Sequence, residues 1–274
     1  MNYNQILKEG ENFLKKSNIK SPNLDTELIL SKIINKKREE ILLNSNNKLK
    51  NTDLIKFKSF LLRRYHKEPM AYILGYKHFW KHKFLTNKSV LIPRPDTELI
   101  VEETLKHLPI DKSKKILDVG TGSGCIVVSL IKERPKCAAT AIDISRKALN
   151  VAKTNAKLHQ VENKINFINI DIDKYKSSNY DLIISNPPYI NCIELNRLDD
   201  DIKLHEPKIA LSGGFDGFRY IKKVIVVSKK LLKLNGKLII EIGHKQKNQS
   251  VKILNENGYY INKISKDLAG KDRC

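Results

Sequence analysis

The tetrapeptide Asn186-Pro187-Pro188-Tyr189 has the residue types and spacing best suited to a specific chemistry in this chain. Amide and aromatic amine nitrogens are weak nucleophiles, because their lone pairs are delocalised into a π system. Acceptor oxygens on Asn186 and on the backbone near Pro187 can hold both hydrogens of such an NH₂ group and localise its lone pair. The prolines supply carbonyls without competing N–H groups, and Tyr189 can press on a planar group. We therefore predict that this turn positions an NH₂ group for attack on an electrophilic carbon.

A glycine-rich segment, Asp118–Gly124, has the composition of a ligand-binding turn. Glycine lets the backbone approach a ligand closely, because it carries no Cβ. The spacing is G-x-G-x-G, which differs from the G-x-G-x-x-G fingerprint of dinucleotide-binding enzymes. The carboxylate of Asp118 suits an ammonium group and would repel a pyrophosphate. The segment is therefore expected to bind a methionine-type ligand.

Two further aspartates follow predicted strands and complete the expected cofactor site. Asp143 is placed to accept hydrogen bonds from ribose hydroxyls, and Asp171 to accept from an adenine amino group, with Ile172 packing on the ring. Each aspartate alone is typical of a helix cap or turn, but three at successive strand ends indicate bound S-adenosylmethionine. The expected cofactor-binding residues are Asp118, Gly120, Thr121, Gly122, Ser123, Gly124, Asp143, Asp171, Ile172 and Asn186. The expected catalytic residues are Asn186, Pro187, Pro188 and Tyr189, and no metal site is expected.

The elements that must position these residues fall into three patterns. Up to about residue 75, apolar residues recur at helical spacing, which predicts a small helical bundle. Alternation from His78 to Ile92, around Thr86-Asn87-Lys88, predicts a β-hairpin. After Lys114, short apolar strands alternate with helices, which predicts an α/β fold with a doubly wound, mostly parallel sheet. Ligands bind such sheets at the carboxyl ends of the strands, where the two motifs fall.

Composition indicates the compartment of the protein and leaves open whether it binds nucleic acid. The 274 residues are 41% hydrophobic and 30% charged, with a net charge of +21. The positive charge is compatible with nucleic-acid binding, but abundant lysine, asparagine and isoleucine also follow from an A/T-rich genome. The four cysteines lie far apart in sequence, and neither a signal peptide nor a membrane span is recognisable. A cytoplasmic protein with reduced thiols, acting as a monomer, is expected.

Several motifs resemble the HemK/PrmC family of glutamine methyltransferases, along nearly the whole chain. Besides the glycine segment and Asp181–Ile190, the matching stretches are Glu68–Gly75, Leu91–Glu98, Glu206–Gly217, Glu241–Gly243 and Asp267–Arg273. The resemblance implies a class I S-adenosylmethionine-dependent methyltransferase with a seven-stranded sheet. It implies a helical substrate-binding domain over 1–75, a hairpin linker over 76–95 and a methyltransferase domain over 96–274. Arg94 and Glu98 are expected to line the same cleft.

The family's substrate supplies the functional expectation. The resemblance implies methylation of N5 of the glutamine in the Gly-Gly-Gln loop of class 1 peptide-chain release factors, without a requirement for nucleic acid or membrane. Alternatives are an adenine-N6 methyltransferase acting on DNA or RNA, which would use the same tetrapeptide on a flipped base, and a ribosomal-protein glutamine methyltransferase. A fold retained as a non-enzymatic binding module is disfavoured, because both motifs are intact.

Overall fold

The N-terminal region of the protein is helical, as the periodicity predicts. The computed structural model describes residues 1–274. The first helices are α1 (Tyr3–Lys15), α2 (Pro22–Ile34), α3 (Arg38–Leu43), α4 (Asn51–Tyr65) and α5 (Met70–Leu74). Asn2 and Gln5 form a capping box that satisfies two backbone N–H groups at the start of α1. Pro22 is the first residue of α2, a position that suits proline because its missing N–H would have no partner there.

The buried face of α2 is partly polar. Asp25, Thr26 and Glu27 are buried together with Ile29 and Leu30, whereas Leu24 is exposed. Helix α4 begins at Asn51, with Lys50 as its N-cap.

The β-hairpin turns earlier than the sequence pattern indicated. Its strands are β1 (Tyr76–Phe79) and β2 (His82–Leu85), so the turn lies at Trp80-Lys81. Trp80 has φ +54, a left-handed conformation that is rare for a large side chain. Tertiary contacts support it, since its backbone N–H donates to Glu98 and its indole N–H to Glu133. The polar stretch after β2 forms a separate turn, in which Asn87 accepts from the backbone of Ser89.

The remaining elements alternate between strands and helices. In chain order they are α6 (Glu98–Leu105), β3 (Lys115–Val119), α7 (Cys125–Glu133), β4 (Ala138–Asp143), α8 (Arg146–Leu158), β5 (Ile165–Asn169), β6 (Tyr180–Ser185), α9 (Cys192–Asn196), α10 (Asp200–Lys203), α11 (Arg219–Leu231), β7 (Leu232–Ile240) and α12 (Lys247–Glu256). None of the helices combines the length and the apolar character that crossing a bilayer requires.

The main sheet is parallel and has five strands, in the order β5-β4-β3-β6-β7. The expectation of seven strands is therefore corrected. Residues 258–274 add no further strand, since they contain a single isolated bridge between Lys266 and Asp272. Hydrogen bonds between Ser265 and Cys274 continue the contact, but the paired segment is too short to form a strand.

Alternating strand residues bury both faces of the sheet. On one face, Ile116 and Ile184 pack with the hairpin, α6 and α7; on the other, Leu117 and Ile183 pack with α11 and α12. Burial on both faces is typical of parallel sheets with helical crossovers. The strands are thereby fixed in register, so the loops at their carboxyl ends have defined positions.

The chain forms two compact units. The first comprises Met1–Gly75 together with Asp199–His205, and the second comprises Tyr76–Leu198 and Glu206–Cys274. In the first unit, the buried guanidinium of Arg64 pairs with Asp25 and Asp201, each at 2.7 Å. Segment 199–205 is thus attached to the helical unit by a buried ion pair. The hairpin belongs to the second unit.

Gly10 of α1 provides a test of packing in the helical unit. A Cβ at this position would lie 2.6 Å from Cγ2 of Thr26, whose hydroxyl is held by the carbonyl of Pro22. The helix propensity gained by Gly10→Ala, about 1 kcal/mol, is expected to be outweighed by overpacking of about 1–3 kcal/mol. Urea unfolding should show a net loss of up to about 2 kcal/mol. Adding Thr26→Ser, which removes Cγ2 and keeps the hydroxyl, should restore stability; a variant G10A as stable as the wild type contradicts this packing.

Candidate active site

The two chemical motifs lie side by side because their strands are neighbours. In the pairing of β3 with β6, Val119 is opposite Ser185, and the Ser185 hydroxyl donates to the Val119 carbonyl at 2.8 Å. The strand order reverses direction at this pair, and ligands bind α/β sheets at such a point. The glycine segment begins directly after Val119, and the Asn186 tetrapeptide directly after Ser185.

The glycine segment forms a tight turn that only glycine can adopt without strain. Gly120, Gly122 and Gly124 have φ values of +73, +57 and +79. A Cβ on Gly124 would approach Ala152 Cβ to 3.1 Å, so the turn packs closely on α8 at that position. A Cβ on Gly120 would meet nothing within 4 Å, because that position faces the open cleft. The turn can therefore receive a ligand against its backbone.

Asp118 supports the turn from below. Its side chain is fully buried, and Oδ2 accepts a hydrogen bond of 2.7 Å from the Thr121 hydroxyl, while Oδ1 has no partner. Burial raises the pKa of Asp118 to about 7, and the nearby carboxylate of Asp143 acts in the same direction. The residue does not line the cleft. Its assignment to the cofactor's ammonium group stays a prediction, and contact would require the turn to shift.

Asp143, at the end of β4, does line the cleft. Its two carboxylate oxygens accept backbone hydrogen bonds from Gly122 at 2.9 Å and Ser145 at 2.8 Å. Burial raises its pKa, against the effect of these hydrogen bonds. Each carboxylate oxygen keeps a second lone pair, so the group can still accept from ribose hydroxyls. The same contacts orient the carboxylate before a ligand arrives.

Asp171 lies on the cleft wall and is held by a lysine that the sequence reasoning did not single out. Lys223 of α11 contacts Asp171 at 2.7 Å and Asp173 at 2.6 Å. Burial favours a raised pKa for Asp171, but the Lys223 ammonium outweighs it and lowers the pKa. Ile172 is buried and lines the cleft beside the pair. The carboxylate is thus kept charged at a place where it can accept from an amino group.

Asn186 is held by one end of its amide. Its Nδ2 donates to the Thr97 hydroxyl at 3.0 Å, which leaves Oδ1 on the opposite side of the amide. Asn186, Pro187 and Pro188 all line the cleft that the glycine turn lines. An acceptor oxygen is thereby available next to carbonyls that no proline N–H opposes.

Tyr189 has a different environment from the one expected. Its ring does not line the cleft, and its hydroxyl donates to Oε1 of Glu241 at 3.1 Å. Burial, with Glu241 acting in the same direction, raises the pKa of Tyr189. In this structure the tyrosine anchors the tetrapeptide; stacking on a substrate stays a prediction. Glu241 belongs to the stretch Glu241–Gly243, and the sequence contains no signal that it meets Tyr189.

The segment Leu91–Glu98 contributes unequally to the cleft. Arg94 lines it, and its guanidinium pairs with the buried Glu206, which also accepts from the backbone of Ile92. The expectation for Glu98 is wrong, because this residue accepts from the Trp80 backbone in the hairpin turn and lies outside the cleft lining. The physical reason is that Glu98 begins α6 and its carboxylate is held by the backbone of the hairpin turn.

The cleft as a whole fits S-adenosylmethionine. Carboxylates at the ends of successive strands face a glycine turn with open space above it, and the walls between them are mainly apolar, as an adenosyl group requires. The apolar lining residues include Ile126, Ile142, Ile144, Ile170, Ile172 and Val224.

Comparisons with known proteins agree with this geometry. Family models described as PrmC N-terminal domain and methyltransferase small domain match residues 5–75 and 97–198. The chain is 36% identical, over 98% of its length, to a Rickettsia felis protein named bifunctional methyltransferase, and covers 56% of that relative, about half its length. It is 35% identical, over 96% of both chains, to a protein of Buchnera aphidicola subsp. Baizongia pistaciae named release factor glutamine methyltransferase.

Among solved structures, the chain is similar to a methyltransferase from Pyrococcus furiosus. The TM-score is 0.52 at 19% identity, with 69% of this chain and 84% of that chain covered. At this identity the likeness concerns the fold alone. Together with the family models, it confirms the class I methyltransferase fold expected from the sequence.

The buried carboxyl of Asp118 predicts a distinctive dependence of stability on pH. Its pKa of about 7 in the folded protein lies above the unfolded value, so between pH 4 and 7 the native state retains a proton that the unfolded state has lost. The contribution of Asp118 to stability therefore falls as pH rises through this window. Urea unfolding at pH 5 and 7.5 should show that Asp118→Asn gains on the order of 2–4 kcal/mol relative to wild type at the higher pH. Equal pH dependence in both proteins would show that this carboxyl is charged throughout.

Proposed function

The chain belongs to the release factor glutamine methyltransferase family, and from that premise we propose that it transfers a methyl group to a glutamine side chain of a peptide-chain release factor. The acceptor is proposed to be N5 of the glutamine in the Gly-Gly-Gln loop of class 1 release factors. One observation carries the proposal. The amide nitrogen of Asn186 donates to the Thr97 hydroxyl, and Asn186 lines the cleft that fits the cofactor.

Residues of the cleft would hold S-adenosylmethionine, which supplies an electrophilic methyl group when bound. The proposed cofactor-binding residues are Gly120, Thr121, Gly122, Ser123, Gly124, Asp143, Asp171, Ile172 and Asn186, with Asp118 beneath the turn. Asp143 would orient the ribose and Asp171 the adenine. The support is the position of these residues, apart from Gly124 and Asp118, around one cleft at the ends of adjacent strands.

The tetrapeptide would orient the glutamine amide. Oδ1 of Asn186 and the backbone carbonyl near Pro187 would accept its two N–H hydrogens, and the nitrogen lone pair would then point toward the methyl group. Alignment of this kind contributes up to roughly 7–11 kcal/mol in well-oriented systems. A strong general base is not needed, because the nitrogen becomes acidic once it is methylated. The excess proton then leaves to solvent.

The helical region of residues 1–75 is proposed to contribute to binding of the release factor. Its support is the match of residues 5–75 to the PrmC N-terminal domain model. The methyltransferase region supplies the reaction site and has a complete cleft of its own. The methyltransferase region would then catalyse the reaction, and the helical region would recognise the release factor.

The substrate can be tested directly with a labelled methyl donor. The protein and radiolabelled S-adenosylmethionine are incubated in separate reactions, each with one acceptor. The acceptors are a class 1 release factor, a ribosomal-protein mixture, duplex DNA and RNA. Label is expected only on the release factor, and it should disappear when the tripeptide glutamine is changed to alanine. Label on adenine N6 of a nucleic acid, or on a ribosomal protein alone, would overturn the proposed substrate.

Asn186→Ala tests the role of the tetrapeptide. Loss of an oriented acceptor should lower kcat by about 10²-fold or more, with a smaller change in cofactor affinity. The measurements are steady-state methylation of the release factor and isothermal titration with S-adenosylmethionine. Asn163→Ala, at an exposed position away from the cleft, is the control and should behave as wild type. An Asn186→Ala protein with wild-type kcat and weakened cofactor binding would assign Asn186 to the cofactor alone.

A further inference from the structure

One face of α11 forms part of the cleft wall. Tyr220, Lys223 and Val224 all line the cleft, because residues three or four apart lie on the same side of a helix. Val224 packs in the same hydrophobic cluster as Ile172, so the helix is held against the segment that carries Asp171. This packing fixes the backbone of Lys223 relative to Asp171.

The ammonium of Lys223 is shared between two carboxylates. Nζ donates to Oδ2 of Asp171 at 2.8 Å and lies 2.7 Å from Oδ1 of the same residue. It also lies 2.6 Å from Oδ2 of Asp173. Burial favours a lower pKa for Lys223, but the two carboxylates outweigh it and raise the pKa, so the group stays charged. An ammonium with these partners is not a free cation in the cleft, and it influences a ligand through Asp171.

Contacts on both oxygens fix the rotation of the Asp171 carboxylate. Besides Lys223, the backbone N–H of Asp173 donates to Oδ1 at 3.2 Å. An ionised carboxylate offers about four lone-pair positions, so these contacts leave acceptor capacity for a ligand. The two carboxylates and one ammonium also leave an excess of negative charge. This part of the cleft therefore attracts an N–H donor and repels a carbonyl oxygen.

Resting on the cofactor site of the proposed function, we propose that Lys223 is a positioning residue that makes the cleft specific for adenine. It holds the Asp171 carboxylate in the orientation that accepts from the exocyclic amino group of the base. Hypoxanthine carries a carbonyl at that position, so its oxygen would face another acceptor and neither group could donate. A site whose polar groups are left unpaired rejects such a ligand. The base is thus selected by α11 as well as by the strand end that carries Asp171.

Removal of the ammonium should loosen this arrangement. Lys223→Met keeps an unbranched side chain, but Asp171 and Asp173 lose the group between them and repel each other. The Asp171 carboxylate should then rotate, and the oriented acceptor is lost. A role of Lys223 in charge alone predicts the opposite, because loss of a positive charge makes the site more repulsive to a carbonyl oxygen.

Isothermal titration compares S-adenosylhomocysteine with S-inosylhomocysteine, in which hypoxanthine replaces adenine. Wild-type protein should prefer the adenine ligand by about 30-fold or more, since the other ligand cannot donate to Asp171. Lys223→Met should lower this preference by about tenfold, mainly by weakening the binding of S-adenosylhomocysteine. Lys222→Met is the matched control, because this neighbouring lysine pairs with Asp216 at 2.9 Å and lies outside the cleft lining. It should keep the wild-type preference.

A charge-matched variant separates orientation from charge. Asp173→Asn combined with Lys223→Met keeps the formal charge of the wild type, because one negative and one positive group are removed together. Its preference for adenine should stay below that of the wild type by about threefold or more. A wild-type preference in this double variant, or an unchanged or larger preference in Lys223→Met, would overturn the inference. Equal weakening of both ligands would also overturn it, since a general loss of structure lowers both affinities alike.

Failure of the proposed function would look different, because these titrations need no methyl acceptor. If Lys223→Met loses the preference for adenine while no release factor is methylated, the inference holds and the proposed function fails. If the release factor is methylated and the preference is the same in both proteins, the proposed function holds and the inference fails. A wild-type protein that binds neither ligand would overturn the cofactor site and the inference together.

Discussion

The pairing of β3 with β6 is the constraint on which the rest of the site depends. Val119 and Ser185 lie opposite each other in neighbouring strands. The glycine turn and the Asn186 tetrapeptide, which follow them directly, therefore begin at the same edge of the sheet. Burial of alternate residues on both faces holds this register, since a slip by one residue would exchange the side chains packed against the hairpin, α6 and α7 with those packed against α11 and α12. The hydrophobic core therefore brings the glycine turn and the tetrapeptide to the same edge of the sheet.

Each of the two turns is supported from beneath by a buried carboxyl group. Asp118 holds the glycine turn through Thr121, and Glu241 holds the tetrapeptide through Tyr189. Burial raises the pKa of both carboxyls to about 7, and each keeps one oxygen without a hydrogen-bond partner. Buried, incompletely satisfied polar groups cost stability, so their occurrence under both turns is understandable where precise orientation matters for function. Both turns therefore depend on a buried carboxyl group, although the ligands proposed for them differ.

Local pattern was sufficient for much of the fold but not for the contacts beneath the site. The alternation of short strands and helices predicted after Lys114 is confirmed, because the apolar periodicity and the turn residues agree there. The hairpin turn was misplaced because Trp80 adopts a left-handed conformation that depends on Glu98 and Glu133, which are distant in sequence. Cleft residues at strand ends were predictable from the topology. The partners of Asn186 and Tyr189 were not, since they come from strand and helix packing that sequence spacing does not specify.

The central claim is that Asn186 and the carbonyl near Pro187 hold an NH₂ group facing the methyl donor. A crystal structure of the protein with S-adenosylhomocysteine and a glutamine-containing release factor loop tests it most directly. The account predicts a glutamine nitrogen about 2.7–3.2 Å from Asn186 Oδ1 and from that carbonyl, with its remaining side toward the sulfur. A glutamine bound elsewhere, or an Asn186 amide turned with Nδ2 toward the substrate, would contradict it.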